Sequence, residues 1–153
     1  MTFQCLIPPA TRWLLALSLV LGTGTVWANE RNGTFKTLEG SVTLIRGDRS
    51  QPAVPGAALR EGDRIVTGPN SAVAFALADG SVVSMGPNTS LDLTHFVFDP
   101  TSQNGSLLLN LVQGTVRLIT GVMGKTNPEL VRVTTPTTVV GVRGTDFIVE
   151  ALP

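Results

Sequence analysis

The most constraining feature of this chain is a succession of short runs in which apolar residues alternate with small or polar ones, each run ended by turn residues. Gly40-Ser41-Val42-Thr43-Leu44-Ile45-Arg46-Gly47 sets the pattern, with Val42 and Leu44 on one face and a glycine at either end. Alternation at period two marks a half-buried strand, because successive side chains leave opposite faces of the backbone. The pattern returns after Gly62-Asp63, from Ala72 to Leu77 (where Val73, Phe75 and Leu77 oppose three alanines), from Ser81 to Met85 and from Ser90 to Thr94. It returns again at Leu107, Leu109 and Leu111, and at Val116 and Leu118. Gln51 to Gly56 reads as loop, while Pro69-Asn70, Asp79-Gly80, Gly86-Pro87-Asn88 and Gln113-Gly114 read as turns. Phe98 to Gly105 is expected to be looser, and Gly121 to Pro128 to be a flexible insertion. About ten strands of about five residues, with turn signals every eight to twelve, describe an all-β domain. A sandwich, a barrel and a short solenoid of stacked strands all fit, and periodicity does not choose among them.

The first residues follow a different logic. Arg12 precedes an apolar run from Trp13 to Leu21, and Val26-Trp27-Ala28 ends in the small residue a signal peptidase reads. Residues 1–28 are therefore expected to be a secretory signal peptide, residues 29–39 a flexible entry and residues 40–150 the domain. The run is short for a membrane span, so an uncleaved membrane anchor is the less favoured alternative. The only cysteine, Cys5, would leave with the signal peptide, so no disulfide, thiolate metal site or cysteine nucleophile is expected in the mature chain. Stability must then come from the apolar core, for which 42% hydrophobic and 14% charged residues supply the material. Arg12 is the one charged residue before Ala28, which leaves ten basic against eleven acidic residues. That balance, without a basic stripe, gives no support for nucleic-acid binding.

Candidate chemistry is sparse. The single histidine, His95, has no Cys and no Asp or Glu pair near it in sequence, so a structural role is expected rather than a metal site. A Ser-His-Asp relay would need His95, yet no serine occupies a Gly-x-Ser-x-Gly elbow. Asp63, Asp79 and Asp92 suit turns or a solvated strand face better than paired acids or calcium ligands. Met85 and Met123 read as core and loop residues. No cofactor, metal or catalytic group is expected.

The least generic stretch is Val131 to Glu150. Two β-branched runs are joined through Thr135-Pro136 and close on Gly141-Val142-Arg143-Gly144-Thr145-Asp146 before Phe147-Ile148-Val149. Glycines three apart suit a backbone that bends sharply or passes close to another. Gly141, Arg143, Gly144 and Asp146 thus form the candidate corner. Either Arg143 and Asp146 are an exposed pair for a partner, or Arg143 folds back onto turn carbonyls or onto a carboxylate such as Asp146 or Asp63. The second arrangement is favoured, and with it the expectation that Arg143→Ala lowers thermal stability.

The sequence resembles a FecR-type domain over about Gly40 to Val149. The opening pattern of that family matches Gly40, Val42 and Leu44, its Leu-x-x-Gly-Asp segment matches Leu59, Gly62 and Asp63, and its central hairpin matches Leu77-Ala78-Asp79-Gly80-Ser81. Its closing signature, a Thr-Pro step and then Val-x-Val-Arg-Gly-Thr-x-Phe, matches Thr135-Pro136 and Val140 to Phe147. The resemblance implies a periplasmic or cell-surface module with a twisted, solenoid-like stack of short strands. The member that names the family relays a signal from an outer-membrane iron transporter to a sigma factor, through a cytoplasmic segment and a membrane helix ahead of the domain. A signal peptide is expected there instead in this chain, so direct anti-sigma action is not the first expectation. That expectation is a non-enzymatic envelope module, periplasmic or secreted, that contacts another envelope protein as a signalling accessory, for instance through an unpaired strand edge. Cell-wall or polysaccharide binding and FecR-like regulation of a sigma factor and iron transport are the alternatives.

Overall fold

A computed structural model describes residues 31–152. The expected signal peptide, with Cys5, Trp13 and Trp27, lies outside the described residues. The strands are β1 (Gly33–Glu39), β2 (Val42–Arg46), β3 (Arg49–Pro52), β4 (Ala58–Leu59), β5 (Arg64–Thr67) and β6 (Ala72–Leu77). They continue with β7 (Val82–Met85), β8 (Ser90–Asp99), β9 (Asn104–Ile119), β10 (Val131–Thr134), β11 (Val139–Gly141) and β12 (Asp146–Ala151). One short helix, α1 (Val122–Thr126), and a 3-10 turn at Pro128–Leu130 lie between β9 and β10. The all-β expectation holds.

The strands form one sheet whose main path runs β3-β2-β5-β8-β9-β7-β6-β1-β4, with β10, β11 and β12 attached through β9. Laid flat, nine strands would put the two end strands about 38 Å apart. Yet β3 and β4 are consecutive in the chain, and the link 53–57 reaches about 21 Å at most. The sheet must curl, and it does so into a half-barrel. All pairs are antiparallel except β9 with β10, whereas a solenoid would stack its coils in parallel register. The long β9 makes the curl possible, since its first half pairs with β8 and β10 and its second half with β7 and β12. Gly114, expected in a turn, is instead the point where β9 continues from one half to the other. It has φ +95°, and a side chain there would collide with Thr89.

The concave face holds a single core to which both halves contribute. Leu44, Ile65, Leu91, Leu93, Leu109 and Leu111 come from one half, and Phe35, Phe75, Val83, Val116 and Leu118 from the other. Phe35 and Phe75 meet edge to face with centroids 6.0 Å apart. Each fully buried aliphatic or phenyl side chain contributes about 1.5–3 kcal/mol, so this face supplies the driving force in a domain that is expected to have no disulfides.

Several expectations at element boundaries are corrected, mostly for one reason. The expected flexible entry at residues 29–39 contains β1, paired with β6 and carrying the buried Phe35. A bulge between Phe35 and Thr37 puts Phe35 and Leu38 on the same side, three apart, and so erases the period-two signal. A second shift between Leu93 and His95 does the same in β8, which continues through Phe96 into the region expected to be looser. Part of the expected loop Gln51 to Gly56 belongs to β3, whose residues are all exposed and show no apolar alternation. The expected flexible insertion contains α1, anchored by the fully buried Met123.

Candidate functional site

The closing corner is positioned from β9. β10 lies parallel to β9 in the register Val131 to Leu107 and Val133 to Leu109, and β11 folds back on β10 through a tight turn at Pro136-Thr137. The turn is closed by Thr135 N–H to Thr138 O at 2.8 Å and by Thr138 N–H to Thr135 Oγ1 at 3.1 Å. At the other end Val142 N–H donates to Val131 O. Bonded pairs alternate along an antiparallel ladder, so Thr135 with Thr138, Val133 with Val140 and Val131 with Val142 turn their backbone groups toward one another. Val139 and Gly141 therefore turn their backbone N–H and C=O groups to the free edge. Val131, Val133 and Val142 are buried, while Arg132, Val139, Gly141 and Arg143 share the outer face.

The four candidate residues do different jobs. Gly144 has φ +140°, a conformation that favours glycine, and its carbonyl accepts Thr120 Oγ1 at 3.2 Å while Thr145 O accepts Thr120 N–H at 2.9 Å. The corner is thus held by Thr120 at the end of β9. Asp146 accepts Arg117 Nε at 2.9 Å and Nη2 at 2.5 Å, a two-pronged pair that holds its carboxyl below the usual range, the hydrogen bonds to Arg117 being the main cause. The expected partners of Arg143 are therefore taken: Asp146 by Arg117, and Asp63 by Arg46. Arg143 is exposed and makes no ion pair or hydrogen bond with another described residue, which corrects the favoured fold-back arrangement. It lines a cleft of ≈ 430 Å³ with Pro128, Glu129, Arg132, Gly141 and Val142.

The other polar candidates are engaged in the fold. Asp63, fully buried, accepts Arg46 Nε and Nη2, both at 2.6 Å, and Arg60 N–H at 2.8 Å. Asp79 accepts Ser81 N–H and Oγ at the hairpin turn, and Ser81 Oγ in turn accepts Gly121 N–H. Asp92 pairs with Arg64 and accepts Asn110 Nδ2. Among the described residues no three His, Cys, Asp or Glu side chains stand together as a metal site.

His95 is less isolated than its sequence neighbours suggest. Nδ1 lies 3.1 Å from Glu61 Oε2 and Nε2 lies 3.0 Å from Ser106 Oγ, while the same Glu61 oxygen accepts Phe96 N–H. The order Glu61-His95-Ser106 follows a nucleophile relay. Ser106, however, sits within the β8–β9 ladder opposite Val97 rather than on a sharp elbow, and acyl transfer also needs donors for an oxyanion. The geometry describes a polar clasp joining the Glu61 turn to the sheet.

With this geometry in place, comparison with protein families is decisive. The family model described as FecR protein matches residues 63–152, more than half of the chain. The chain belongs to the FecR family. The match begins at Asp63 and takes in β5 to β12, so β1 to β4 lie outside it although they complete the same sheet. FecR is a regulatory family of the cell envelope, involved in sigma-factor and iron-transport signalling. No curated protein and no solved structure matches the chain. Among the described residues of this FecR protein no helix is long and apolar enough to cross a membrane.

Proposed function

We propose that this FecR protein is a non-enzymatic interaction module, exported to the periplasm or beyond, that contacts another envelope protein as part of a signalling system. One observation carries the reading: the curled sheet leaves β11 and β12 each paired with a single neighbour, so that their outer edges offer unpaired backbone groups. Such an edge accepts an added strand from a partner. Val139 and Ile148, each 66% exposed, lie on these two edges and give the added strand apolar contact.

Polysaccharide binding has less support. Sugar platforms are usually flat, exposed aromatic rings, whereas Phe35, Phe75 and Phe96 are buried and Phe98 and Phe147 pack against the core. The test is a photo-crosslinking amino acid placed at Val139, at Ile148 or at the exposed control Lys36, in cells producing the full chain. A discrete protein adduct from an edge position and none from Lys36 is expected. Adducts from no position, together with retention of the purified protein only on cell-wall material, would replace this reading with the polysaccharide one.

A further inference from the structure

We infer that the outer face of the β10–β11 hairpin docks an extended acidic peptide segment of a partner protein, with one carboxylate held between Arg132 and Arg143 above Gly141. This rests on the interaction-module reading and names its site and the chemistry of its partner.

Three observations converge on the hairpin. The first is the disposition of arginines. Arg46, Arg64 and Arg117 each grip an aspartate with two hydrogen bonds, namely Asp63, Asp92 and Asp146. Arg132 and Arg143, like Arg31, Arg49 and Arg60, pair with no carboxylate among the described residues, and the one polar contact of their guanidiniums is Arg132 Nε to Glu129 O at 3.3 Å. Both line the same cleft. Two planar, permanently charged forks facing one cavity suit a carboxylate.

The second is Gly141, directly across the ladder from Arg132. Its φ does not fall in the positive region, and a Cβ built on it would meet nothing within 4 Å. Neither backbone conformation nor packing therefore calls for glycine, which in a strand is less favourable than alanine. Its consequence is outward: the floor of the cleft stays open between the two arginines, where an approaching chain comes close to the backbone.

The third is the free edge. Val139 and Gly141 present unpaired backbone groups beside the cleft, and a ligand that satisfies them is itself a backbone. Side chains two apart on the added strand share a face, so a carboxylate over Gly141 places an aliphatic residue over Val139. The recognised pattern is acidic-x-aliphatic on an antiparallel added strand and aliphatic-x-acidic on a parallel one. Glu129 also lines the cleft and leaves it a net charge of +1 with the two arginines, which matches a single carboxylate better than a phosphate dianion.

The test uses end-blocked peptides of sequence Thr-Val-Thr-Glu-Thr-Val-Thr, or the same with Gln for Glu, titrated to millimolar concentration into the 15N-labelled protein. The Glu peptide should shift the amides of Val139, Gly141 and Arg143, and the Gln peptide should bind roughly tenfold more weakly. Gly141→Val should abolish the shifts without lowering the melting temperature. Equal binding of both peptides, no shifts with either, or unaltered binding by Gly141→Val would overturn the inference. Inorganic phosphate that reproduces the shifts and displaces the peptide would reduce the cleft to a simple anion site and overturn strand docking. A crosslinked adduct from Ile148 but not Val139 would remove this site alone and leave the module reading standing, whereas adducts from neither would remove both.

Discussion

At the corner between β4 and β5, Asp63 is sealed inside the fold, and Arg46 reaches across from β2 to grip it while also donating to Ala58 O at 3.0 Å. At the corner between β11 and β12, Arg143 stands in solvent and its neighbour Asp146 is claimed by Arg117 from β9. Both corners combine glycine, arginine and aspartate. The first ties β2 to β4, near the two ends of the curled path, and so helps to close the sheet. The second is fixed by Thr120 through backbone groups, which leaves its arginine free to act outward. A motif containing arginine is thus a lock, or leaves its arginine in solvent, according to whether a carboxylate from elsewhere in the fold has been brought to it.

The sharpest challenge to this contrast is Arg46→Met. It strands the fully buried Asp63 carboxylate with only Arg60 N–H for company, so a loss of about 3–5 kcal/mol in denaturant unfolding is expected. A loss below about 1 kcal/mol would mean that the first corner is no lock. Next comes Thr120→Val, which removes the hydroxyl bond to Gly144 O but keeps the shape, and should cost about 1 kcal/mol in the same measurement. No change would mean that the hydroxyl bond adds nothing to the hold on the second corner, leaving it to Thr120 N–H and Thr145 O.

Smaller still is the effect of Asp146→Asn, because the Arg117 pair is exposed and screened. The folded carboxyl is held below its ordinary value, so its contribution is present above the unfolded value and is lost as pH falls through the folded one. Thermal melts across pH should show the wild type slightly ahead near neutrality and the two proteins converging in acid. A gap that widens in acid would contradict the assignment. The smallest effect is predicted for Arg143→Ala, whose unfolding free energy should stay within about 0.5 kcal/mol of wild type while binding of the Glu peptide drops. A clear fall in melting temperature would return Arg143 to the locking role expected from sequence.

Much of the fold was legible because β2, β6 and β7 keep strict alternation: Val42 and Leu44, Val73, Phe75 and Leu77, and Val83 and Met85 all fall inward as their spacing predicts. The signal failed where a bulge changes the parity, between Phe35 and Leu38 and between Leu93 and Phe96, because one extra residue sends every later side chain to the other face. The candidate corner was found from its glycines, but its contacts were not. Arg117 and Thr120 come from β9 and its end, and nothing in their local sequence marks them as partners of Asp146 and Gly144; nor does anything near Glu61 mark it as the partner of His95.

By itself, then, the sequence determined the all-β class, the inward faces of the regular strands and membership of the FecR family, since alternation and short motifs are local properties of the chain. Tertiary structure decided how the sheet curls, which arginine meets which aspartate and which edge stays open. These depend on strand register summed over bulges and on the path of β9, so residues 17 to 34 positions apart, such as Arg46 and Asp63 or Glu61 and His95, are matched only when the whole sheet is assembled. The pairing that leaves Arg143 unclaimed is a result of that assembly.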